Sequence, residues 1–200
     1  MAITLPSSLS PRRVSPFLLD FGAVLTPFAG GPSQRINRLG MRLGAQVTMP
    51  PLRSDREGPL LVSRLVQARS DELLLDCPLV DGSWTSAGTP LVRVAVTGGT
   101  TLQIKGLPAG YALDEGRIFS LVRSATGRRY VHGFAAQGTA DGSGNATASV
   151  WPPMRTSFAV NDVIELATPK MQGHVVDDQL GWEMALARRT SLSFTVHESQ

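Results

Sequence analysis

The longest regular pattern in the chain is an alternation of apolar residues with polar residues or glycine over positions 35–49. The apolar side of the alternation consists of Leu39, Met41, Leu43, Ala45, Val47 and Met49. A period of two over about a dozen residues predicts one long β-strand with a single buried face, because successive side chains of a strand point to opposite faces. Pro50 and Pro51 then end the strand, since proline cannot donate to a β ladder.

The same period returns near the end of the chain. Every second residue is apolar in 182–187, beginning with Trp182, and again in 192–196, which contains Phe194 and Val196. The two runs predict a hairpin that turns around 188–190. Because they share the period of 35–49, we expect them to join that strand in one sheet.

One helix is predicted between these regions. Ser54 and Glu57 have the spacing of a capping box, but a helix starting there would hold Pro59 in its interior, so the alternative start is Pro59 as the first helical residue. Leu61, Leu65 and Ala68 share one face of the predicted helix, which extends to Arg69 and covers a sheet. Residues 72–77 then predict a buried strand.

The centre of the chain predicts a small barrel or sandwich. Five or six short β-patterned segments, separated by turn residues, recur at intervals of roughly ten residues. They cover 91–96, 101–105, 117–123, 129–135, 145–150 and 163–166. The first two form a predicted hairpin through Gly98 and Gly99, and the fifth is predicted to end at Trp151, Pro152 and Pro153.

These patterns predict a mainly β fold of two parts. Residues 1–88 plus 168–200 form a discontinuous β-sandwich domain with one short α-helix, and 89–167 form a small β-barrel or sandwich inserted into it. A polar segment over 80–90 is the predicted linker, and insertion at such a segment costs little stability. Residues 1–31, broken by four prolines and followed by Pro32, predict short extended pieces at 14–19 and 22–28. Such an N-terminal segment would lie along a neighbouring surface, and an isolated chain gains little from it.

Composition narrows the class of protein. The chain has 200 residues, of which 42% are hydrophobic and 18% charged, so it can bury a core. Its net charge is +3, and all its lysine and arginine residues except Lys105 and Lys170 are arginine. The arginines are dispersed along the chain and include the adjacent pairs 12/13, 128/129 and 188/189, but they form no long run. Dispersed arginine pairs suit salt bridges at interfaces, or an ordinary solvated surface, better than a nucleic-acid stripe. The single Cys77 excludes an intramolecular disulfide, and we expect neither a signal peptide nor a membrane span.

The side chains that carry catalysis do not form a recognisable pattern. His132, His174 and His197 lie on different predicted elements, without metal-ligand spacing. Ser143 lies between two glycines in a predicted hairpin turn rather than in a strand-to-helix elbow. Asp114 and Glu115 are adjacent, which points them apart in a turn, and no phosphate-binding glycine motif is present. We therefore expect a protein that is not an enzyme and that has no catalytic residues, cofactor or metal site.

A carbohydrate-binding β module is the alternative function. Such modules bind sugars on exposed aromatic platforms, and Trp84, Tyr111 and Trp151 are the candidates for that role. Aromatic residues make up only 6% of the chain, which limits this interpretation.

Three groups of motifs resemble the distal tail protein family of long-tailed, siphovirus-like bacteriophages and prophages. The first is the proline-rich N-terminus leading into 30–40, and the second combines 113–120, 129–132 and 150–155. The third is 181–184 with 192–196. The resemblance covers most of the chain, although the motifs are strand ends and turns rather than an active site.

The resemblance implies a structural virion protein made in the host bacterial cytoplasm. Members of the family form a ring, commonly hexameric, at the tail tip, where it joins the tail tube to the hub and receptor-binding apparatus of the baseplate. The implied partners are further copies of the chain, the tail tube protein, the tail hub protein and the tape-measure protein. Neither a membrane nor sequence-specific nucleic acid is expected as a partner.

Five arginines are the predicted oligomer-interface residues because they lie on the proline-broken N-terminal segment or on the polar face of the long predicted strand. They are Arg12, Arg13, Arg35, Arg38 and Arg42. A solvated surface is the alternative interpretation of the same positions.

Overall fold

The computed structural model describes residues 2–6, 8–28, 30–36, 38, 40–77, 87–176, 183–185 and 189–199, and for 183–185, 189 and 190 it describes the backbone alone. The described residues form one helix, α1 (Glu57–Ser70), and nineteen strands. In chain order the strands are β1 (Ile3–Thr4), β2 (Arg13–Leu19), β3 (Ala23–Leu25), β4 (Gln34–Ile36), β5 (Arg42–Thr48), β6 (Leu52–Arg53), β7 (Leu73–Asp76), β8 (Leu91–Val92), β9 (Gly99–Lys105), β10 (Ala112–Leu113), β11 (Ile118–Val122), β12 (Arg129–Phe134), β13 (Gly138–Thr139), β14 (Ala146–Met154), β15 (Val163–Glu165), β16 (Lys170–Val175), β17 (Glu183–Ala185), β18 (Arg189–Ser191) and β19 (Ser193–Glu198).

A six-stranded sheet in the order β1-β7-β16-β19-β5-β2 forms the first half of the fold. Only β1 and β7 run parallel; the other neighbours are antiparallel. Phe194 lies opposite Val47 and Val196 opposite Ala45, so the predicted pairing of 192–196 with the long alternating strand is confirmed. These side chains are buried on the inner face of the sheet, in the same core as Leu61 of the helix. The other run, 182–187, does not join this sheet, because β17 belongs to the sheet β17-β18-β6.

The predicted strand over 35–49 is too long. β5 begins only at Arg42, because Gly40 has a φ of +139° and breaks the extended run. The residues before it form β4, which pairs with β3 in a separate two-stranded sheet. The alternation continues across this break because Gly40, which marks the turn, occupies a polar position in the pattern.

The N-terminal segment belongs to the main sheet. All seven residues of β2 pair with β5, from Arg13 opposite Thr48 to Leu19 opposite Arg42. The prediction that 14–19 extends to a neighbouring surface, with little gain for an isolated chain, is therefore wrong. Val14 of β2 packs against the same apolar core as Val47 of β5.

The helix starts earlier than Pro59. It begins at Glu57, so Pro59 is its third residue, within the first turn where a missing N–H costs no intrahelical bond. Glu57 accepts a hydrogen bond from the backbone N–H of Arg53 at 3.1 Å, and the residue preceding the helix, Arg56, makes no side-chain capping bond. The predicted buried face is confirmed, since Leu61, Leu65 and Ala68 are all buried.

The centre of the chain forms a closed six-stranded barrel in the order β11-β12-β14-β9-β8-β15. Strands β11, β12 and β14 follow one another as antiparallel neighbours, and β15 returns to pair with β11, which is a Greek-key connection. The predicted hairpin of β8 with β9 is confirmed, with Leu91 opposite Lys105. The predicted mainly β fold, a β-sandwich domain with one short helix and a small barrel, is confirmed.

Strand β14 passes through the prolines that were predicted to end it. It continues to Met154, while its pairing with β9 shifts register between Ser149 and Met154. Pro152 and Pro153 lie within this irregular stretch, where the regular ladder to β9 is interrupted. A proline pair is therefore accommodated without ending the strand.

The barrel strands all come from residues 91–165, and the strands of the six-stranded sheet come from residues before and after them. The domain boundaries at 88/89 and 167/168 stay a prediction. Most of the predicted linker, and Trp182 at the start of the last predicted hairpin, lie outside the described residues. The predicted hairpin of 182–187 with 192–196 is wrong. β17 pairs instead with β18, which covers part of the predicted turn, in a separate three-stranded sheet with β6, whereas β19 pairs with β5 and β16.

Candidate subunit interface

The pair of strands β3 and β4, with the loop between them, projects an apolar surface into solvent. We call residues 23–36 the arm. Every described residue of both strands is exposed, including Val24 at 61% and Leu25 at 52%. Phe28, in the loop, has its side chain fully exposed. Contiguous exposed apolar surface of this kind marks interaction sites on soluble proteins.

The root of the arm is held by polar contacts to Asp20. One carboxylate oxygen of Asp20 accepts a hydrogen bond from the backbone N–H of Gly22 at 2.8 Å, and the other lies 3.4 Å from the guanidinium of Arg35. Gly30, with a φ of +75°, donates its N–H to the Pro27 carbonyl at 3.3 Å and turns the loop back. These contacts fix the turn between β3 and β4, although neither strand has a buried face.

The five arginines predicted as interface residues are spread over both ends of the main-sheet edge and the arm. Arg12 and Arg13 are exposed at the start of β2, and Arg35 and Arg38 are exposed on or just after β4. Arg42 is half-buried, and its guanidinium carbon lies 5.3 Å from the centre of the Phe21 ring, a cation–π distance. Their role at an interface stays a prediction.

Strand β2 is the terminal strand of the main sheet. One side of it pairs with β5, and no described strand pairs with its other side. Such an edge is a template for pairing with another chain. Pro16 in the middle of β2 removes one backbone donor but leaves the carbonyl groups of the edge in place.

An apolar cavity of about 170 Å³ lies beside β2, between the main sheet and the barrel. Its lining consists of Val14, Pro16, Leu43, Gly44, Ala45, Leu75, Cys77, Met171 and, from the barrel, Ile118 and Val131. Burial raises the pKa of the Cys77 thiol to about 12, so the thiol stays protonated and contributes an apolar surface. The cavity therefore offers volume without ionised groups.

A buried ion pair connects the barrel to the main sheet. Arg155 follows β14, and its guanidinium lies 3.1 Å from the carboxylate of Glu198 at the end of β19. Both side chains are buried. Glu198 also accepts hydrogen bonds from the N–H of Val131 at 2.6 Å and of Leu43 at 3.3 Å, and Arg155 donates to the Ser199 carbonyl at 2.7 Å. Burial raises the pKa of Glu198, and the Arg155 charge and the two amides oppose that rise.

The arginine pair 128 and 129 makes its contacts within the chain. Arg129 binds the carboxylate of Glu165 through two guanidinium nitrogens, at 3.0 to 3.2 Å. Arg128 lies 3.0 Å from Glu72, the residue just before β7. Gln172 of β16 links these groups, because it donates to Glu72 and accepts from the Arg129 N–H at 3.2 Å.

Of the side chains considered for catalysis, His174 of β16 and His197 of β19 occupy directly opposed positions on neighbouring strands, whereas His132 and Ser143 lie elsewhere. His132 lies inside the barrel beside Phe119 and Phe158, with Nδ1 3.0 Å from the Pro152 carbonyl oxygen. Burial lowers the pKa of His132 to about 4, so the ring is neutral at pH 7 and donates its Nδ1–H to that carbonyl. Ser143 is in an exposed turn, remote in the fold from this site.

In the parts of the chain that the structure describes, no three His, Cys, Asp or Glu side chains form a group that could hold a metal ion. Of the helices in those same parts, none is long and apolar enough to cross a membrane.

The aromatic residues considered as sugar platforms are engaged within the chain where the structure describes them. Tyr111 is buried, and its hydroxyl accepts a hydrogen bond from Arg117 at 2.6 Å. Trp151 is half-buried, and its indole donates to the Phe134 carbonyl at 3.1 Å. Trp84 lies outside the described residues.

The sequence predicts the arginines of this surface as interface residues and 22–28 as an extended piece along a neighbouring surface, but it does not single out the apolar side chains within 23–36. Val24, Leu25 and Ile36 lie in segments whose composition is that of ordinary short strands. The signal that separates them from core strands is the density of flanking prolines, since Pro27 and Pro32 leave too few paired residues to join a larger sheet.

Comparison with known proteins adds no family or relative: no family model matches the chain, and no curated protein matches its sequence.

Proposed function

We propose that this protein is a non-enzymatic structural subunit of a long-tailed bacteriophage, and that it forms a ring, six copies in the commonest case, at the distal end of the tail. The ring joins the tail tube to the hub and receptor-binding apparatus, and its open centre lets the tape-measure protein or DNA pass. The resemblance of the sequence motifs to distal tail proteins supports the location. The physical properties of the arm support the self-association.

The observation that carries the proposal is the exposed apolar surface of the arm. Four apolar residues of the arm each expose more than a third of their surface, although the chain has a core in which side chains of this type are buried. They are Val24, Leu25, Phe28 and Ile36. Protein interfaces exclude charged residues from their centre and place arginine and aromatic side chains around apolar contacts. The arm has that composition, with Arg35 and Arg38 beside the apolar residues.

A closed ring requires two different surfaces on each subunit. A heterologous contact repeats around the ring until it closes, whereas a self-complementary contact stops at a dimer. The arm at one end of β2 and the unpaired edge of β2 supply two such surfaces in one chain. Strand pairing at an edge also fixes the orientation of a subunit, since backbone hydrogen bonds are directional.

The test is the mass of the purified protein in solution, measured by light scattering after size exclusion, with electron microscopy of the particles. The wild type is expected to form closed rings. The double variant Val24→Thr and Leu25→Thr is expected to be monomeric. Threonine is β-branched and suits a strand, but it removes apolar surface from the arm. Val94→Thr alters a valine of similar exposure, 46%, outside the arm and is the matched control that should still form rings. A wild type that stays monomeric at high protein concentration would refute the proposed function.

A further inference from the structure

The cavity beside β2 and the exposed Phe28 are complementary in size and chemistry. The cavity has a volume of about 170 Å³, and its lining atoms are almost entirely apolar. An apolar cavity of comparable size in other proteins stays dry and accepts a single aromatic ring. A guest with a charged or hydrogen-bonding group would lose its hydration without gaining a partner here. The cavity therefore selects an aromatic ring or a short branched alkyl group.

The location of the cavity beside an edge strand indicates that the bound side chain comes from another copy of the chain. Two of the lining residues, Val14 and Pro16, belong to β2, the strand whose outer edge pairs with no described strand. A segment that extends the main sheet at β2 would lie next to the two lining residues that β2 supplies. The arm itself has unpaired outer edges on β3 and β4, and it ends in Phe28, a side chain without any burial.

We propose that the arm of a second copy of this chain lies along β2 and inserts its Phe28 into the cavity lined by Val14, Pro16, Leu75, Ile118 and Val131. The inference rests on the proposed self-association and names the contact that produces it. The contact is heterologous, since a knob on one subunit meets a hole on the next. Because the cavity lies between the sheet and the barrel, the inserted ring touches both parts of the receiving subunit.

Two variants separate the knob from the hole. Phe28→Ala removes the knob and leaves the cavity of the same chain intact. Val14→Phe places a ring at the cavity from the receiving side and leaves Phe28 available. Each variant alone is expected to weaken subunit association about 30-fold or more, the effect of losing a central aromatic hot spot. Phe28→Leu, which keeps an apolar side chain, is the conservative control and should lose much less.

Mixing the variants gives the decisive result. The Phe28 of a Val14→Phe chain can enter the intact cavity of a Phe28→Ala chain, but the reverse contact is missing. An equimolar mixture is therefore expected to form one-to-one dimers that grow no further, although each variant alone is monomeric at the same concentration. A general folding defect in either variant would not be repaired by mixing.

Benzene serves as a probe of the cavity itself. In the Phe28→Ala variant, benzene is expected to shift the methyl resonances of Val14 and Val131, and in assembled wild type these shifts should be absent because the cavity is filled. Benzene that leaves the Phe28→Ala spectrum unchanged would overturn the inference. Rings formed equally well by wild type and Phe28→Ala would also overturn it while leaving the proposed function standing, whereas a monomeric wild type would overturn both.

Discussion

The environment of His132 makes the stability of the barrel depend on pH. Its ordinary pKa of 6.5 is lowered to about 4 by burial, with a smaller contribution from the nearby charge of Arg155. The unfolded chain therefore binds a proton at this position over a pH range in which the folded chain does not. As the pH falls below about 6.5, the free energy of unfolding decreases, and this loss from His132 is complete only below pH 4.

Replacement of His132 by Asn is expected to remove that dependence. The Asn side-chain N–H can still donate to the Pro152 carbonyl, but it does not titrate. From pH 7 to pH 5 the wild type should lose about 2 kcal/mol more unfolding free energy than the variant. Urea denaturation of both proteins at the two pH values measures the difference. Equal losses would mean that the imidazole is protonated in the folded protein.

Residue identity alone predicts little about exposure in this chain. Glu198 is of a residue type that is usually solvated, yet its carboxylate is completely buried. Phe28 is of a type that is normally buried, yet it is exposed. Glu198 can be buried because Arg155, which is distant in sequence, pairs with it. Phe28 is exposed because no strand of the described chain covers it.

At the scale of elements, the pairing of β16 with β19 requires a glycine. A Cβ atom added to Gly173 would overlap the carbonyl oxygen of His197 on the neighbouring strand. Backbone atoms of a central strand cannot move aside cheaply, because each is held by ladder hydrogen bonds. The close approach of the two strands therefore excludes any side chain at this position.

Gly173→Ala is expected to lower the free energy of unfolding by at least about 2 kcal/mol, as other overpacked core positions do. Gly142→Ala is the matched control, since a Cβ atom at Gly142 meets no atom within 4 Å and no positive φ is required there. That variant should stay within about 0.5 kcal/mol of the wild type. Thermal or chemical denaturation of the two variants compares them directly. A similar effect of both would show that the strand pair can separate to admit a methyl group.

The element boundaries that the sequence predicted wrongly share one cause. The period of two continues through Gly40, and the prolines after Trp151 carry a strong stop signal, yet the chain turns at the first place and stays extended at the second. Whether an extended residue belongs to a strand depends on a partner strand being in register beside it. The neighbours of β5 and β14 come from distant parts of the chain, so local patterns do not contain that information.

For the whole molecule, the ion pair of Arg155 with Glu198 joins the barrel to the main sheet. The barrel supplies Arg155 and the Val131 N–H, whereas the sheet supplies Glu198 and the Leu43 N–H. Removing one member of a buried pair leaves an uncompensated charge, which is strongly destabilising. The two parts of the fold should therefore unfold together.

Arg155→Met is expected to lower the free energy of unfolding by about 3–5 kcal/mol. The double variant with Glu198→Gln should lose less than the sum of the two single losses, because the neutral amide no longer leaves a buried charge and its oxygen still accepts a backbone N–H. Denaturation of the wild type, both single variants and the double variant completes the cycle. Strictly additive losses would contradict a direct interaction between the two charges.

Sequence patterns alone predict the mainly β class, the buried face of the helix, the β5–β19 pairing and a small barrel or sandwich in the centre of the chain, whereas the closure of the barrel is seen only in the structure. These predictions follow from periodicity and turn residues, which act over a few neighbouring positions. Only the tertiary structure decided that β2 joins the main sheet, that the arm is left exposed, and that a cavity remains between sheet and barrel beside β2. Exposure and empty volume are properties of how distant surfaces meet, and a local pattern of apolar residues is the same whether or not another surface covers it.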